Sequence, residues 1–390
     1  MPLHVLIAGG GVAALEAMLA LRDLAEERVE IELLTPDREF AYRPLAVAEP
    51  FGLGEVHRFA LDPIVEASGA RVLRGTLAAV YADVQRVRTG SGDVVGYDIL
   101  VIAAGARPRP TLPGALVFTG GPEVSAYRAL LDELERGVVR RLLFALPAGV
   151  TWPVPLYELA LLTAARLGSA GPELAIATPE KSPLEVFGRE ASDAVRALLA
   201  ERAIAFHGGA SPRAIENGEL RCAPGGRIPA DRVVALPELA GPQIAGVPVA
   251  RNDFIPTDVN GRVEGLDDVY AVGDATTFPL KQGGIAAQQA DAVAEQIAAR
   301  AGAPVTPQPF RPVLRGLLLT GAVPKFLRTE IVGEGGGRVD ETPLWWPPSK
   351  IAGRYLAPFL AAHAGLAVTA PPATLGIQIE LDLTDELRDG

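Results

Sequence analysis

The chain has 390 residues, enough for two or three domains that each bury a core. It carries 47 acidic residues against 36 Lys and Arg, and its formal charge of −11 would repel phosphate backbones, so nucleic acid is excluded as a partner. The single cysteine, Cys222, rules out an internal disulfide, a redox-active dithiol and a cysteine-based metal site. The four histidines show no ligand spacing, so no metal site is predicted.

The first predicted elements form a βαβ unit. The apolar run at 3–8 predicts a strand, residues 12–26 have helical periodicity, and 29–34 predicts a second strand. Because the chain enters a strand at once, without a basic segment followed by an apolar one, no secretory signal is predicted and a cytoplasmic location is expected.

The turn after the first strand has the pattern of a dinucleotide-binding loop. Gly9 allows a tight turn, Gly11 lets a pyrophosphate approach the backbone, and Ala14 is small enough for close helix–strand packing. The helix that follows would present free N–H groups and the positive end of its dipole to that pyrophosphate. The acid expected about 20 residues later is missing. Thr35 ends the second strand there, and its hydroxyl would bond a ribose less strongly than a carboxylate.

Further elements follow in an alternating order. After a proline-rich segment, strands are predicted at 71–74, 76–82, 84–88 and 99–103. A second α/β unit is predicted from 110 onward, with helices at 122–136, 155–167 and 189–203 and strands at 141–146 and 173–178. A hairpin at Asn217-Gly218 then places Cys222 in a surface strand. The last part is predicted to contain strands in LRGLLLTG and LRTEIVGE and one helix near 350–362.

The predicted domains follow from this order. A split dinucleotide-binding domain comprises 1–109 and 246–304, a second domain of the same type covers 110–245, and 305–390 forms a small C-terminal domain. The first domain resumes with DDVYAVGDAT at 267–276. There a strand ends in Gly273-Asp274, and the carboxylate could hold a polyol chain.

A helix is predicted to begin near Gly284 and Ile285, and its N-terminal N–H groups would favour an anionic ring by about 0.3–1 kcal/mol. Lys281 would add a cation with the same effect. No general acid or base stands out from its neighbours, so the catalytic residues are left unassigned.

Three segments, GGGVAA, YDILVIAAGARP and DDVYAVGDAT, resemble the flavoprotein superfamily that includes glutathione reductase. Within it the chain is most similar to sulfide:quinone oxidoreductases, flavocytochrome c sulfide dehydrogenases and type II NADH dehydrogenases. FAYRPL at 40–45 and TPEKSPLEVFG at 178–188 resemble segments of that branch. The helix at 283–289 partly resembles the quinone-side helix of the type II NADH dehydrogenases, because it keeps Gln288 and Gln289.

The resemblance implies an α/β fold with two Rossmann-like domains and a small C-terminal α+β domain, and FAD as cofactor. It also implies that chemistry occurs at the flavin, which Lys281, Gly284 and Ile285 would tune. The predicted cofactor-binding residues are Gly9, Gly11, Val12, Ala13, Ala14, Thr35, Arg43, Pro44, Leu77, Ala104, Gly105, Gly273, Asp274, Lys281, Gly284 and Ile285.

The chain departs from the family in the second domain. The loop at 144–158 has Trp152 and two prolines where a glycine fingerprint would bind NAD(P)H, and only Gly149 remains. Glu180, at the end of the next strand, keeps NAD(P)H open as a donor because an acid there could bind a ribose. Trp152 also stands near the position of the redox cysteine of the sulfide-oxidising enzymes, so chemistry through protein persulfides is excluded.

The predicted function is therefore that of an FAD-dependent oxidoreductase. It would pass two electrons from a small donor, with NAD(P)H one candidate, to an acceptor such as a quinone. The alternative is a non-catalytic flavin-binding or sensor protein. Residues 355–378 lack charge, but prolines and glycine interrupt them, so a membrane span is rejected. The helix near 350–362, preceded by Trp345 and Trp346, either makes a peripheral contact with the inner face of the membrane or covers the flavin site or a dimer interface. A homodimer is a further expectation.

Overall fold

The computed structural model describes residues 1–168, 171–331 and 337–363. Its first sheet has five parallel strands, in the spatial order Val269–Ala271, Ile99–Ile102, Leu3–Ala8, Val29–Thr35 and Arg71–Arg74. Both faces are covered, as parallel sheets require, and this is why the interior strand Ile99–Ile102 is apolar at every position. The helices Val12–Ala25 and Gly283–Arg300 pack together on one face. On the other lies an antiparallel sheet of Leu77–Tyr81, Arg86–Thr89 and Val94–Gly96.

A second parallel sheet follows the same design. Its spatial order is Leu116–Val117, Arg232–Ala235, Arg141–Ala145, Glu173–Ala177 and Ile204–His207. The helices of this unit are Glu123–Glu135, Val154–Leu167 and Arg189–Glu201. An antiparallel sheet of Ser211–Glu216, Glu219–Ala223 and Gly226–Pro229 packs on it. Cys222 lies in the middle strand and is 6% exposed, so its predicted surface position is wrong: its side chain packs into the core beneath the hairpin.

Smaller elements join these units. Two antiparallel ribbons are formed by Glu39–Tyr42 with His57–Ala60 and by Arg107–Arg109 with Glu238–Ala240, and Leu61–Ala67 is a short helix. The described 3₁₀ helices are Glu26–Arg28, Arg43–Phe51, Ala82–Val84, Glu185–Phe187, Arg251–Asp253 and Gly273–Ala275. The C-terminal part contains the antiparallel strands Val313–Leu318, Lys325–Glu330 and Arg338–Asp340 and the helix Leu356–His363. The predicted fold class, two Rossmann-like units with a smaller α+β part, is confirmed.

The C-terminal helix differs from its prediction. It begins only at Leu356, since the backbone before it is held in a non-helical path by Glu16. Leu356 and Leu360 pack in the core beside the first helix, and Trp345 is 2% exposed, so these residues do not form an interfacial surface. Residues 332–336 and 364–390 lie outside the described ranges and include parts of the predicted LRTEIVGE strand and C-terminal domain. Within the described ranges no helix has both the length and the apolarity to cross a bilayer.

Candidate functional site

A cleft of about 1390 Å³ runs from the end of the second strand to the N-terminus of Gly283–Arg300 and reaches the second unit. It is larger than the roughly 300–1,000 Å³ of most small-molecule sites, as a dinucleotide requires. The predicted cofactor residues that line it are Gly9, Gly11, Val12, Ala13, Thr35, Arg43, Pro44, Leu77, Ala104, Gly105, Gly273, Asp274 and Lys281. Ala14, Gly284 and Ile285 are buried and do not line it.

The glycine turn is shaped by two different constraints. Gly9 has a φ of +146°, and a Cβ there would lie 2.1 Å from the carbonyl oxygen of Ala103, so only glycine is accommodated. A Cβ on Gly11 would meet nothing within 4 Å, because this residue faces the open cleft. Gly11 is also the N-cap of the first helix, and no side chain caps the helix or places an acid in its first turn. Its N–H groups are left for an anion, and the turn fits the pyrophosphate of FAD.

At the far end of the cleft Thr35 is fully buried, and its hydroxyl accepts the N–H of Asp37 at 3.2 Å. That bond stabilises the turn after the strand. The carboxylates of Asp37 and Glu39 and the guanidinium of Arg58 belong to residues that line the cleft here. The ribose-binding acid that the motif expects at the end of the second strand is absent. Asp37, two residues after Thr35, is an acid close to that position in the sequence, and it lines the cleft.

Asp274 and Lys281 form the polar end of the cleft near the second glycine turn. Burial raises the pKa of Asp274 to about 6, while nearby Lys281 lowers it. Burial lowers the pKa of Lys281 to about 8, and Asp274 opposes the shift. Lys281 Nζ donates to the carbonyl oxygen of Thr276 and lies 3.8 Å from the ring centroid of Phe254. The cation is therefore held in a fixed position beside the cleft.

The helix after Lys281 starts at Gly283, and its first turn is partly capped. Gln282 is the N-cap: its Oε1 accepts the N–H of Ile285 at 2.9 Å, and its Nε2 donates to the carbonyl of Arg315 at 3.2 Å. The Ile285 N–H is thus engaged and Gly284 packs against the Gln282 side chain, whereas Gln282 and Gly283 line the cleft. If this helix stabilises negative charge on a bound flavin ring, it does so through Gly283, its first residue, and through the positive end of its dipole.

The two glutamines that resemble a quinone-side helix have internal partners. Gln288 exchanges two hydrogen bonds with the backbone of Val313, at 2.8 and 2.9 Å. Gln289 Oε1 accepts the N–H of Gly273 at 2.7 Å, and neither glutamine lines the cleft. The resemblance at these positions therefore reflects packing between the helix and its neighbours.

A buried ion pair forms part of the cleft wall on the side of the second unit. Lys350 Nζ lies 2.6 and 2.7 Å from the two carboxylate oxygens of Glu158, and the side chains are 7% and 1% exposed. Glu158 Oε1 also accepts the N–H of Leu319 at 2.8 Å. Burial raises the pKa of Glu158, and Lys350 opposes the shift. Sequence reasoning missed both residues; the signal available was a lone acid in the apolar helix Val154–Leu167.

The loop before that helix differs from a pyrophosphate site. The helix has Pro153 as N-cap and Pro155 in its first turn, and the N–H of Leu156 is bonded to the Pro153 carbonyl, so few donors remain. The Glu238 side chain lies on Gly149, where a Cβ would come within 2.7 Å of its carboxylate. Trp152 lines the cleft with its indole ring 5.9 Å from the Phe187 ring.

Glu180, the candidate ribose acid, is 8% exposed. Its Oε2 accepts the hydroxyls of Tyr157 at 2.7 Å and Thr178 at 3.0 Å, and burial raises its pKa to about 7. One oxygen of this carboxyl group is therefore engaged by internal bonds, whereas its Oε1 is buried without a hydrogen-bond partner. Among the described residues, no group of three His, Cys, Asp or Glu side chains is arranged to hold a metal ion.

The fold and the cleft define a flavoprotein with two dinucleotide-binding units. The family profile described as pyridine nucleotide-disulphide oxidoreductase matches residues 3–294, and the chain belongs to this family. It is a flavin-dependent oxidoreductase with FAD as cofactor, as the sequence predicts. Comparison with curated protein sequences finds no match.

Three solved structures illustrate the similarity of fold. Sulfide:quinone oxidoreductase from Aquifex aeolicus has a TM-score of 0.74 at 20% identity, with 86% of each chain covered. A ferredoxin reductase from Rhodopseudomonas palustris has a TM-score of 0.63 at 19% identity, with 83% of this chain and 81% of that one covered. NDH2 from Plasmodium falciparum in complex with NADH has a TM-score of 0.65 at 12% identity, with 100% and 99% covered.

Proposed function

We propose that this oxidoreductase takes two electrons from a small molecule that enters the cleft directly, and that a quinone is the acceptor. A structurally similar protein is a sulfide:quinone oxidoreductase, and another is known in complex with NADH. The observation that favours a donor other than NAD(P)H is the helix N-terminus at Pro153. A diphosphate there would find few N–H donors, an indole ring and the Glu238 carboxylate. Tight NAD(P)H binding is therefore disfavoured.

The chain's own groups are suited to this role. When bound, FAD supplies a group that accepts two electrons from one molecule and passes them to another. Lys281 lies close to Asp274 at the end of the cleft beside the second glycine turn, and it would stabilise negative charge there. Lys350 has three N–H donors, and one not engaged by Glu158 could hydrogen-bond or protonate a carbonyl oxygen of an acceptor. Gly9 and Gly11 of the first glycine turn and Gly273 and Asp274 of the second would bind the cofactor.

Anaerobic mixing with NADH and NADPH tests the donor. We expect no bleaching of the flavin absorbance near about 450 nm within minutes. Rapid bleaching at micromolar NAD(P)H would show that NAD(P)H is a donor and would contradict this expectation. Protein reduced with dithionite and then mixed with a soluble quinone analogue should re-oxidise faster than in air. Failure to do so would favour the alternative of a non-catalytic flavin-binding or sensor protein.

We also propose that the protein is cytoplasmic, contacts the inner face of the membrane peripherally, and forms a homodimer. Since Trp345 and Leu356 are buried, such contacts would need other residues of the C-terminal part. Vesicle flotation with anionic lipid and sedimentation velocity measure them separately.

A further inference from the structure

A segment near the C-terminus contributes two residues to the wall of the cleft; residues 345–356 are called the strap here. Its Ile351 donates its N–H to the Tyr42 hydroxyl at 3.0 Å and packs on Gly283, where a Cβ would come within 2.9 Å of it. Lys350, the preceding residue, reaches Glu158 on the second unit, and both Lys350 and Ile351 line the cleft. The strap therefore places a cation at the site that the proposed function uses.

The end of the strap is held by one buried carboxylate. Glu16, in the first helix, is fully buried, and its two oxygens accept the N–H groups of Tyr355 and Leu356, each at 2.8 Å. These N–H groups belong to the start of the helix Leu356–His363, where an anion is favoured. Gly353 packs on the same carboxylate, because a Cβ there would lie 2.5 Å from it.

A second carboxyl group lies against Glu16. Asp291, on the helix Gly283–Arg300, lies close enough to Glu16 for the two carboxyl groups to interact, and its Oδ1 is a buried oxygen without a hydrogen-bond partner. Two carboxyl groups can bond only when one carries a proton, and a proton on the orphaned oxygen would provide that bond. The charged groups facing Asp291 are Glu16, Arg354 from the strap and Glu295 from its own helix. Besides burial, the negative charges of Asp291, Asp23 and Glu295 raise the pKa of the Tyr355 hydroxyl.

We propose that Glu16 and Asp291 share one proton and act as positioning residues, which hold the strap, and with it Lys350, against the cleft only while that proton is present. This inference rests on the proposed function for the role of Lys350, but the docking of the strap is measurable without any substrate.

The sign of the effect follows from burial. Burial raises the pKa of Asp291, and the Glu16 charge raises it further, while Arg354 lowers it. A carboxyl group whose folded pKa is raised contributes stability that is fully present below its unfolded pKa and is lost as pH rises through the folded pKa. Docking of the strap should therefore weaken with rising pH, when two buried anions would face each other across the helices.

Hydrogen exchange of the FAD-loaded protein, followed by mass spectrometry on a peptide covering the strap, measures docking. Exchange is corrected for its intrinsic pH dependence from about pH 5 to about pH 9. We expect opening of the wild-type strap to increase by about tenfold or more over this range. In Asp291→Asn the amide can still donate to Glu16 without ionising, so the profile should stay flat and the strap protected. A rise equal to that of the wild type would overturn the proposal.

Two variants complete the design. Glu16→Gln should show lower protection, because the amide oxygen accepts only part of what the carboxylate accepted, and a weaker pH dependence, because burial still raises the pKa of Asp291 but the Glu16 charge no longer does; this keeps the test decisive if Asp291→Asn fails to fold. A pH dependence in Glu16→Gln as steep as that of the wild type would count against proton sharing. Asp23→Asn, an exposed acid on the same helix as Glu16, should behave like the wild type. Because no donor or acceptor is present, lack of turnover would leave this result unaffected.

Discussion

Glu158 and Lys350 are 192 residues apart in sequence and meet at 2.6 Å in the wall of the cleft. The first belongs to the helix Val154–Leu167 and the second to the strap. The pair thus links the second unit to the C-terminal part at the site. Removing one partner of a buried ion pair leaves the other charge buried and unpaired. The resulting loss in the free energy of unfolding is large enough to measure.

Lys350→Met should lower the free energy of unfolding by about 3–5 kcal/mol. The pKa of Glu158 would rise further without its cation, so the loss should be larger at about pH 8 than at about pH 5. Urea unfolding at both pH values measures this. Lys325→Met is the matched control, because Lys325 pairs with Glu341, whose side chain is 61% exposed, and should cost less than about 1 kcal/mol. An equal loss in both variants would contradict the argument.

Substitutions of the two glycines in the first turn should have different effects, one on stability and the other on FAD affinity. Gly9→Ala places a Cβ 2.1 Å from the Ala103 carbonyl oxygen and should lower the melting temperature of the apoprotein. Gly11→Ala meets no protein atom within 4 Å, so the apoprotein should melt as the wild type does. Its FAD affinity should fall by at least about tenfold, or about 1.4 kcal/mol, because the new methyl group occupies the approach to the backbone. Flavin titration with calorimetry separates the two.

The sequence was a good guide to the two parallel sheets. Continuous apolar runs that end in glycine or proline predict the strand 141–146 and the helix 155–167, observed as Arg141–Ala145 and Val154–Leu167. These elements follow local periodicity, and burial on both sides of a sheet reinforces it. The glycine turns were also readable, since each needs small residues at fixed positions relative to a strand and a helix.

Long-range contacts were not readable in the same way. The helix predicted near 350–362 begins later because Glu16, far away in sequence, binds the N–H groups of Tyr355 and Leu356. The amide of Gln289 looks like a polar group available to a ligand, yet it binds Gly273. The roles of such residues depend on partners that are distant in sequence and meet only in the folded chain. The hydrophobic periods of 2 and 3.6 residues, which predict strands and helices, contain no information about these contacts.

Asp274 makes the stability of the apoprotein depend on pH. Its pKa is raised by burial to about 6, so its contribution is present at low pH and is lost between about pH 4 and about pH 6. Asp274→Asn should reduce that slope, and the part that remains belongs to other buried carboxyl groups such as Glu180, whose pKa is also raised. Asp267→Asn, an exposed acid a few residues earlier, should keep the wild-type profile. A slope in Asp274→Asn as steep as that of the wild type would contradict the assignment to Asp274. Flavin retention by the same variant should fall, since the carboxylate lines the cleft.

Gln289 separates a structural role from a quinone-binding one. Its Oε1 accepts the N–H of Gly273 in the buried interior, so Gln289→Met leaves that N–H without an acceptor and should cost about 1–3 kcal/mol of stability. Gln296→Met, on the same helix, loses a longer 3.3 Å bond between half-buried amides and should cost less. Urea unfolding compares the two variants. A quinone contact would give another outcome, because stability would then be unchanged while the KM for a soluble quinone analogue would rise. With Gly273 displaced, the structural role instead predicts weaker FAD retention and a KM near the wild-type value in the loaded fraction.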